Sequence, residues 1–184
     1  MKVLVACEFS GVVRNAFCEI GCDAWSCDLE DSLTPGNHIK KDVLSVVDDG
    51  WDLMIAHPPC TYLCVSGSRW WKNKRKEQLD AIDFFLKLYN ANIPMVCVEN
   101  PIGLMSTVFR KPDQIIQPWM FGHGETKATC LWLKNLPLLQ PTKFVDGRLE
   151  RVHRGLYNNH LTRSQNRSIT YNGIALAMSS QWGY

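Results

Sequence analysis

Four short apolar runs, each too short to fill a helix, recur along the first half of the chain with helix-length stretches between several of them. They are Lys2 to Cys7, Asp23 to Leu29, Asp52 to Ala56 and Met95 to Val98. The first, third and fourth, apolar at nearly every position, suit strands buried on both faces, and Asp23 to Leu29 reads as a strand ending in acids. Between the first two lies Val12 to Ile20, apolar at helical spacing and closed by Gly21, a natural C-cap. Before the last, Glu77 to Asn90 places Leu79, Ile82, Phe85, Leu86 and Tyr89 on one helical face. Strands alternating with helices predict an α/β chain: a Rossmann-like, doubly wound, mostly parallel sheet with right-handed crossovers. A third strand is expected over His38 to Val43, after a loop with Pro35-Gly36. Thr129 to Leu133 reads as a late strand, Pro141 to Arg167 as a loop, and Gly173 to Trp182 as a closing helix.

Open sheets of this kind bind ligands at the carboxyl ends of their strands. Two of those ends carry reactive groups. Asp52 to Ala56 runs into His57-Pro58-Pro59-Cys60, and Met95 to Val98 runs into Glu99-Asn100-Pro101. A thiol and a carboxyl at the ends of two parallel strands form a candidate nucleophile-plus-acid pair. At the end of the first strand, Glu8-Phe9-Ser10-Gly11 opens the first helix. A glycine there allows close approach of a ligand, and a helix N-terminus offers N–H groups. Asp28, beside Leu29, is placed to accept hydrogen bonds from a ribose, and Asp42, beside Val43, from an adenine amino group. Taken alone, either acid reads better as a surface residue at a strand end.

The 184 residues suit one domain. Within it, 1–57 reads as a cofactor-binding half, 58–140 as a catalytic half, and 141–184 as a loop with the closing helix. Eight cysteines include no CxxC pair, and several lie inside apolar runs, so free thiols in a reduced, cytoplasmic chain are expected and a metal site is not. No apolar stretch is long enough to span a bilayer and no signal peptide is evident, so no membrane partner is expected. Charge is split. Residues 1–60 carry four basic and ten acidic residues, net −6; residues 61–184 carry sixteen and eight, net +8. The run Arg69-Trp70-Trp71-Lys72-Asn73-Lys74-Arg75-Lys76 sets five basic residues beside two tryptophans, a composition suited to phosphates and exposed bases.

Phe9-Ser10-Gly11, Asp28, Asp42, Pro58-Pro59-Cys60 and Glu99-Asn100-Pro101, in that order, resemble the motifs of the S-adenosylmethionine-dependent cytosine C5 methyltransferases. The chain is most similar to the short members found in phages and prophages. A looser match continues through Phe121 to Leu133, and Asn172-Gly173-Ile174-Ala175 resembles the final motif, which folds back onto the cofactor. The resemblance implies S-adenosylmethionine as cofactor, S-adenosylhomocysteine as product and no metal. It implies Glu8, Phe9, Ser10, Gly11, Asp28, Leu29, Asp42, Val43, Pro58, Asn172, Gly173 and Ile174 around that cofactor. Cys60 would add to C6 of the base and Glu99 would hold or protonate N3, with Lys127 at the first arginine position of the family pattern. Pro59, Asn100, Pro101, Arg69, Lys72, Thr129, Arg163 and Arg167 would meet the substrate. DNA in a bacterial or phage-infected cell is the implied partner, its cytosine turned out of the stack.

Three departures stand out. Pro101 replaces the common valine, Thr129 stands where the family's second arginine would be, and only about 40 residues separate Leu133 from the final motif. A full target-recognition domain does not fit there, which predicts relaxed sequence preference or help from a second protomer in a homodimer. It also keeps open the same chemistry on a free deoxycytidine nucleotide. A non-catalytic cofactor- or DNA-binding accessory module is the reading from another class, and the joint presence of Cys60 and Glu99 argues against it.

Overall fold

The structure, a computed structural model, describes residues 1–65, 71, 73–146, 150–151 and 160–184. Arg69 and Lys72 lie outside them, as does most of the basic, tryptophan-flanked run before Asn73. The strands are β1 (Lys2–Ala6), β2 (Asp23–Asp28), β3 (His38–Lys40), β4 (Leu53–Ala56), β5 (Met95–Pro101), β6 (Gln114–Ile116), β7 (Glu125–Thr126), β8 (Thr129–Lys134) and β9 (Glu150–Arg151). The helices are α1 (Val12–Glu19), α2 (Arg75–Tyr89), α3 (Met105–Val108), α4 (Arg163–Ser168) and α5 (Asn172–Trp182), with short 3₁₀ turns at Val43–Ser45 and Pro118–Met120.

Seven strands form one sheet in the order β3-β2-β1-β4-β5-β8-β6. β3, β2, β1, β4 and β5 are parallel neighbours. β8 runs antiparallel to β5, and β6 antiparallel to β8. A reversed strand is thus inserted between two that point the same way. β7 and β9 pair separately.

Both faces of the sheet are covered, which is why its central strands read as unbroken apolar runs. Val3, Val5, Leu53, Ile55 and Cys97 face α1 and α5, packing with Phe17, Met178 and Trp182. Leu4, Ala6, Met54, Ala56, Val96 and Val98 face the other side, packing with Phe85, Leu88 and Trp132. Phe85 and Trp132 meet edge to face, with centroids 5.1 Å apart.

Four local expectations change. The third strand stops at Lys40, because Asp42 turns the chain into a 3₁₀ helix by accepting a bond from the Leu44 amide. The buried stripe of α2 runs through Gln78, Phe85 and Leu88, whereas Leu79 is 48% exposed. β6 and α4 were not apparent as elements. Finally, α1 does not present free amides. Glu8 turns its carboxylate onto the Val13 and Arg14 amides at 2.8 and 3.2 Å, and Ser10 Oγ accepts from Val12 N.

Gly11 is needed for the chain itself. It sits at φ 73°, and a Cβ there would collide with Thr34 Oγ1 and the Arg14 guanidinium. Arg14 is fully buried. Its guanidinium donates to Ser26 Oγ at 3.0 Å, Thr34 Oγ1 at 2.7 Å and the Pro35 carbonyl at 2.9 Å. It ties the β2–β3 loop to α1 through oxygens that are all neutral. An Arg14→Met variant should lose at least about 2 kcal/mol in chemical denaturation, since hydrogen bonds to a charged group contribute roughly 1.5–3 kcal/mol each.

Candidate active site

The parallel register of β4 and β5 pairs Ala56 with Val98. The next residues on each strand, His57 and Glu99, therefore end up side by side at the carboxyl edge. His57 Nδ1 lies 2.8 Å from Glu99 Oε2, and the two side chains are 11% and 13% exposed. The His57 amide donates to the Ala6 carbonyl, which carries the β1–β4 pairing one residue further. Beyond it the chain turns sharply. The Leu63 and Cys64 amides both donate to the Cys60 carbonyl at 2.9 Å, and Asn100 Nδ2 donates to the Pro58 carbonyl at 2.9 Å. The Cys60 loop is thus clamped by β5.

Cys60 is half-buried and hydrogen-bonded to the buried Cys64. That bond, burial and the Glu99 charge push its thiol well up, and only Lys127 acts the other way. For Glu99, burial favours the neutral acid, but the His57 hydrogen bond and charge, with the Lys127 charge, outweigh it and hold the carboxyl below the usual range. For His57, burial favours the neutral ring, yet the hydrogen bond and charge of Glu99, with Glu8 behind them, keep the imidazole above its ordinary value. Both shifts favour an imidazolium donating from Nδ1 to a carboxylate. His57 Nε2 has no hydrogen-bond partner among the described residues, nor does Asn100 Oδ1.

Lys127 reaches this cluster from the reversed strand, just ahead of β8. Its Nζ donates to the Arg167 carbonyl at 3.0 Å and its amide to Gln117 Oε1. Thr129, opposite Pro101 in the β5–β8 register, is buried and gives its hydroxyl to the Lys127 carbonyl at 3.1 Å. Asn100 is only 2% exposed, and its Nδ2 holds the nucleophile loop. Pro59 is exposed and Pro101 half-buried. Arg163 and Arg167 stand exposed on α4. That helix is closed by a Thr162/Gln165 capping box and moored by Gln165 Nε2 to the Glu30 carboxylate beyond β2.

The other half of the edge holds the residues expected around a cofactor. Cys7, at the end of β1, sits at φ 58°, and burial together with the charges of Asp28 and Asp42 pushes its thiol up. The charges of both acids, which follow β2 and β3 on one side of β1, reach the end of that strand. Each has one oxygen occupied by a local amide, Asp28 by Glu30 and Asp42 by Leu44. The carboxylates are acceptors, and the hydroxyls of a ribose and the amino group of an adenine are donors, so this donor–acceptor set fits the cofactor that the motifs imply. Phe9 and Ser10 are almost fully buried beside them, and Leu29 is 72% exposed. Val43 and Ile174 belong to the core, so only their backbones are available to a ligand. Asn172 is exposed at the start of α5. The Gly173 amide donates to His123 Nε2 at 2.9 Å, and a Cβ at Gly173 would strike the Phe121 carbonyl, so this end of α5 is pinned to the segment before β7.

His57 is the site residue that motif reading passed over. The signal was present, an ionisable residue directly ahead of Pro58-Pro59, but its partner follows only from the β4–β5 register. No group of three or more His, Cys, Asp or Glu side chains among the described residues is arranged to hold a metal, and no described helix is long and apolar enough to cross a membrane.

A strand order with a reversed strand between β5 and β6, reactive groups along the carboxyl edge and helices on both faces defines a Rossmann-like class I methyltransferase fold. The methyltransferase EhMeth of Entamoeba histolytica superposes with a TM-score of 0.54 at 12% identity, over 79% of this chain and 57% of that one. A DNMT2 variant from Spodoptera frugiperda gives 0.48 at 13% identity over 79% and 57%, and the Dnmt2 methyltransferase of S. pombe gives 0.43 at 13% over 75% and 50%. The chain thus spans little more than half the length of these structures. No protein-family model and no curated protein matches it.

The ion pair gives the fold a pH signature. His57, raised when folded, contributes stability that is complete below its ordinary value of 6.5 and is lost as pH rises through the folded value. Glu99, lowered when folded, contributes stability that is present above 4.5 and is lost as pH falls through its folded value. The stability gap between the wild type and His57→Asn, measured by thermal melting, should be widest between those two values and should narrow on either side.

Proposed function

We propose that this chain transfers a methyl group to C5 of cytosine in DNA, with Cys60 as the covalent nucleophile. The observation that supports this best is the convergence of the Cys60 thiol, the Glu99 carboxyl and the Lys127 ammonium from three elements on one sheet edge. Cytosine C5 is too weak a nucleophile to take a methyl group unaided. Addition of the Cys60 thiolate at C6 turns C5 into an enamine-like carbon. Glu99 acts on N3, where charge develops as the sulfur adds. Lys127 favours the thiolate electrostatically and is the fixed cation of the site. Asn100 holds the Pro58 carbonyl, and through it the nucleophile loop.

S-adenosylmethionine, when bound, supplies the methyl group. Asp28 and Asp42 accept from its ribose and adenine, beside Phe9, and Gly173 lies where α5 folds toward that half of the edge. DNA as the acceptor rests on the +8 balance of residues 61–184 and on Arg163 and Arg167, exposed beside Lys127. The methyl-transfer part of the reading accords with EhMeth, a methyltransferase that superposes on this chain.

The test is transfer of labelled methyl to duplex DNA, single-stranded DNA, RNA and free deoxycytidine nucleotides. Label on DNA is the expected result; label confined to free nucleotide would replace the DNA reading, and label on none would end the methyl-transfer reading. Cys60→Ala should abolish turnover with cofactor affinity retained, and DNA containing 5-fluorocytosine should trap a covalent adduct on the wild type only. Glu99→Gln should slow transfer by about 10²–10⁴, the usual contribution of a positioned acid or base. Asp28→Ala should weaken cofactor binding in calorimetry by about 1.5–3 kcal/mol, the contribution of a hydrogen bond to a charged group.

A further inference from the structure

We infer that His57 supplies, through Glu99, the proton that the cytosine ring takes up at N3, which makes it the proton-positioning residue of the site. The inference rests on the reading just proposed and adds to it a residue that the reading does not use. It starts from a conflict in the geometry. Glu99 is asked to act as an acid, yet His57 and Lys127 hold it as a carboxylate. A carboxylate has no proton to give. The proton nearest to it is the one on His57 Nδ1, in a 2.8 Å hydrogen bond to Oε2.

Moving that proton does two useful things at once. It turns Glu99 into a carboxylic acid that can donate to N3. It also removes from Glu99 the negative charge that opposes a thiolate on Cys60. The balance closes without a further reagent. Cys60 gives its proton to solvent and the S–C6 bond forms as the C5–C6 π pair moves onto the ring, while the single proton on His57 Nδ1 passes to Glu99 and from Glu99 to N3. After methyl transfer, C5 releases its proton to solvent as the S–C6 bond breaks, the departing thiolate takes a proton back from solvent, and N3 returns its proton to the pair. His57 ends as it began.

The surroundings suit a residue that is charged at rest and neutral in the reaction. Besides the mutual effect of its two members, three ionisable groups act around the pair. Glu99 on β5 and Glu8 after β1 favour the imidazolium, Lys127 ahead of β8 opposes it, and Cys60 completes the ring of groups. The second nitrogen, Nε2, is buried and makes no bond to the described residues, so protein contacts on that side do not lock the ring into one protonation state. A histidine present only as a brace would need its Nδ1 donor and nothing more.

That difference is testable, because asparagine at position 57 keeps an N–H donor near Nδ1 but cannot titrate. The first measurement needs no turnover. In ¹⁵N-labelled protein, the His57 imidazole should titrate above 6.5 by NMR, and its titration should move down in Glu99→Gln. An unchanged titration overturns the coupling. The second is single-turnover methyl transfer to cytosine DNA as a function of pH. The wild-type rate should fall on the alkaline side along the His57 titration. His57→Asn should lose about 10²–10⁴ in rate at neutral pH, and should recover as the pH is lowered toward the carboxyl range. A His57→Asn variant with the wild-type profile, or with the same deficit at every pH, makes the histidine a brace and overturns the inference alone. A wild type that labels no cytosine acceptor while the coupled titration is intact overturns the methyltransferase reading, and the N3 step with it.

Discussion

The pairing of β4 with β5 is the constraint on which the site depends. Two parallel strands in register deliver successive residues to the same edge, so Ala56 opposite Val98 leaves His57 opposite Glu99. Both side chains are then almost buried at the end of a strand pair, where an unpaired ion would cost several kcal/mol. Pairing resolves that cost, and the pairing fixes both side chains. One residue further along, the same strand end holds the nucleophile loop, because Asn100 follows Glu99 and reaches the Pro58 carbonyl. A slip of one residue would turn each of these side chains to the opposite face of the sheet.

The reversed strand contributes what parallel strands cannot. Parallel neighbours can only offer their carboxyl ends to this edge. β8 runs the other way and offers its beginning, so Lys127 and Thr129 arrive where β5 finishes. The cation of the site therefore comes from a segment remote in sequence from Cys60 and Glu99, yet is held between Gln117 on one side and the Arg167 carbonyl on the other.

Much of this was legible in the chain. Lys2 to Cys7, Asp52 to Ala56 and Met95 to Val98 announce strands because burial on both faces leaves no polar alternation to obscure them, and Asp23 to Leu29 does so although Asp23, Ser26 and Asp28 interrupt it. Other features were not legible, for physical reasons. β6 has three residues, two of them not buried, and leaves no run to detect. α4 is Arg-Ser-Gln-Asn-Arg-Ser and has no apolar face, so periodicity is silent about it; the Thr162-to-Gln165 spacing of a capping box was the available signal. Leu79 and Leu88 exchange roles because which stripe of α2 faces the sheet is decided by packing. Glu8 looked like part of a ligand-binding turn and is committed to the amides of α1. His57 stood in plain view beside the two prolines, but its partner lies forty-two positions away and only the register joins them.

The raised thiol of Cys60 has a consequence for the chemistry of the resting protein. Thiolates, not thiols, react with haloacetamides, peroxides and other electrophiles. All eight cysteines are free, and burial pushes Cys7, Cys22, Cys27, Cys97 and Cys130 up along with Cys60. These six thiols are thereby kept sluggish toward adventitious alkylation and oxidation. Cys60 is protected by the same burial and neighbouring thiol that it must overcome to act, so its reactivity is reserved for a partner that changes the charge around it.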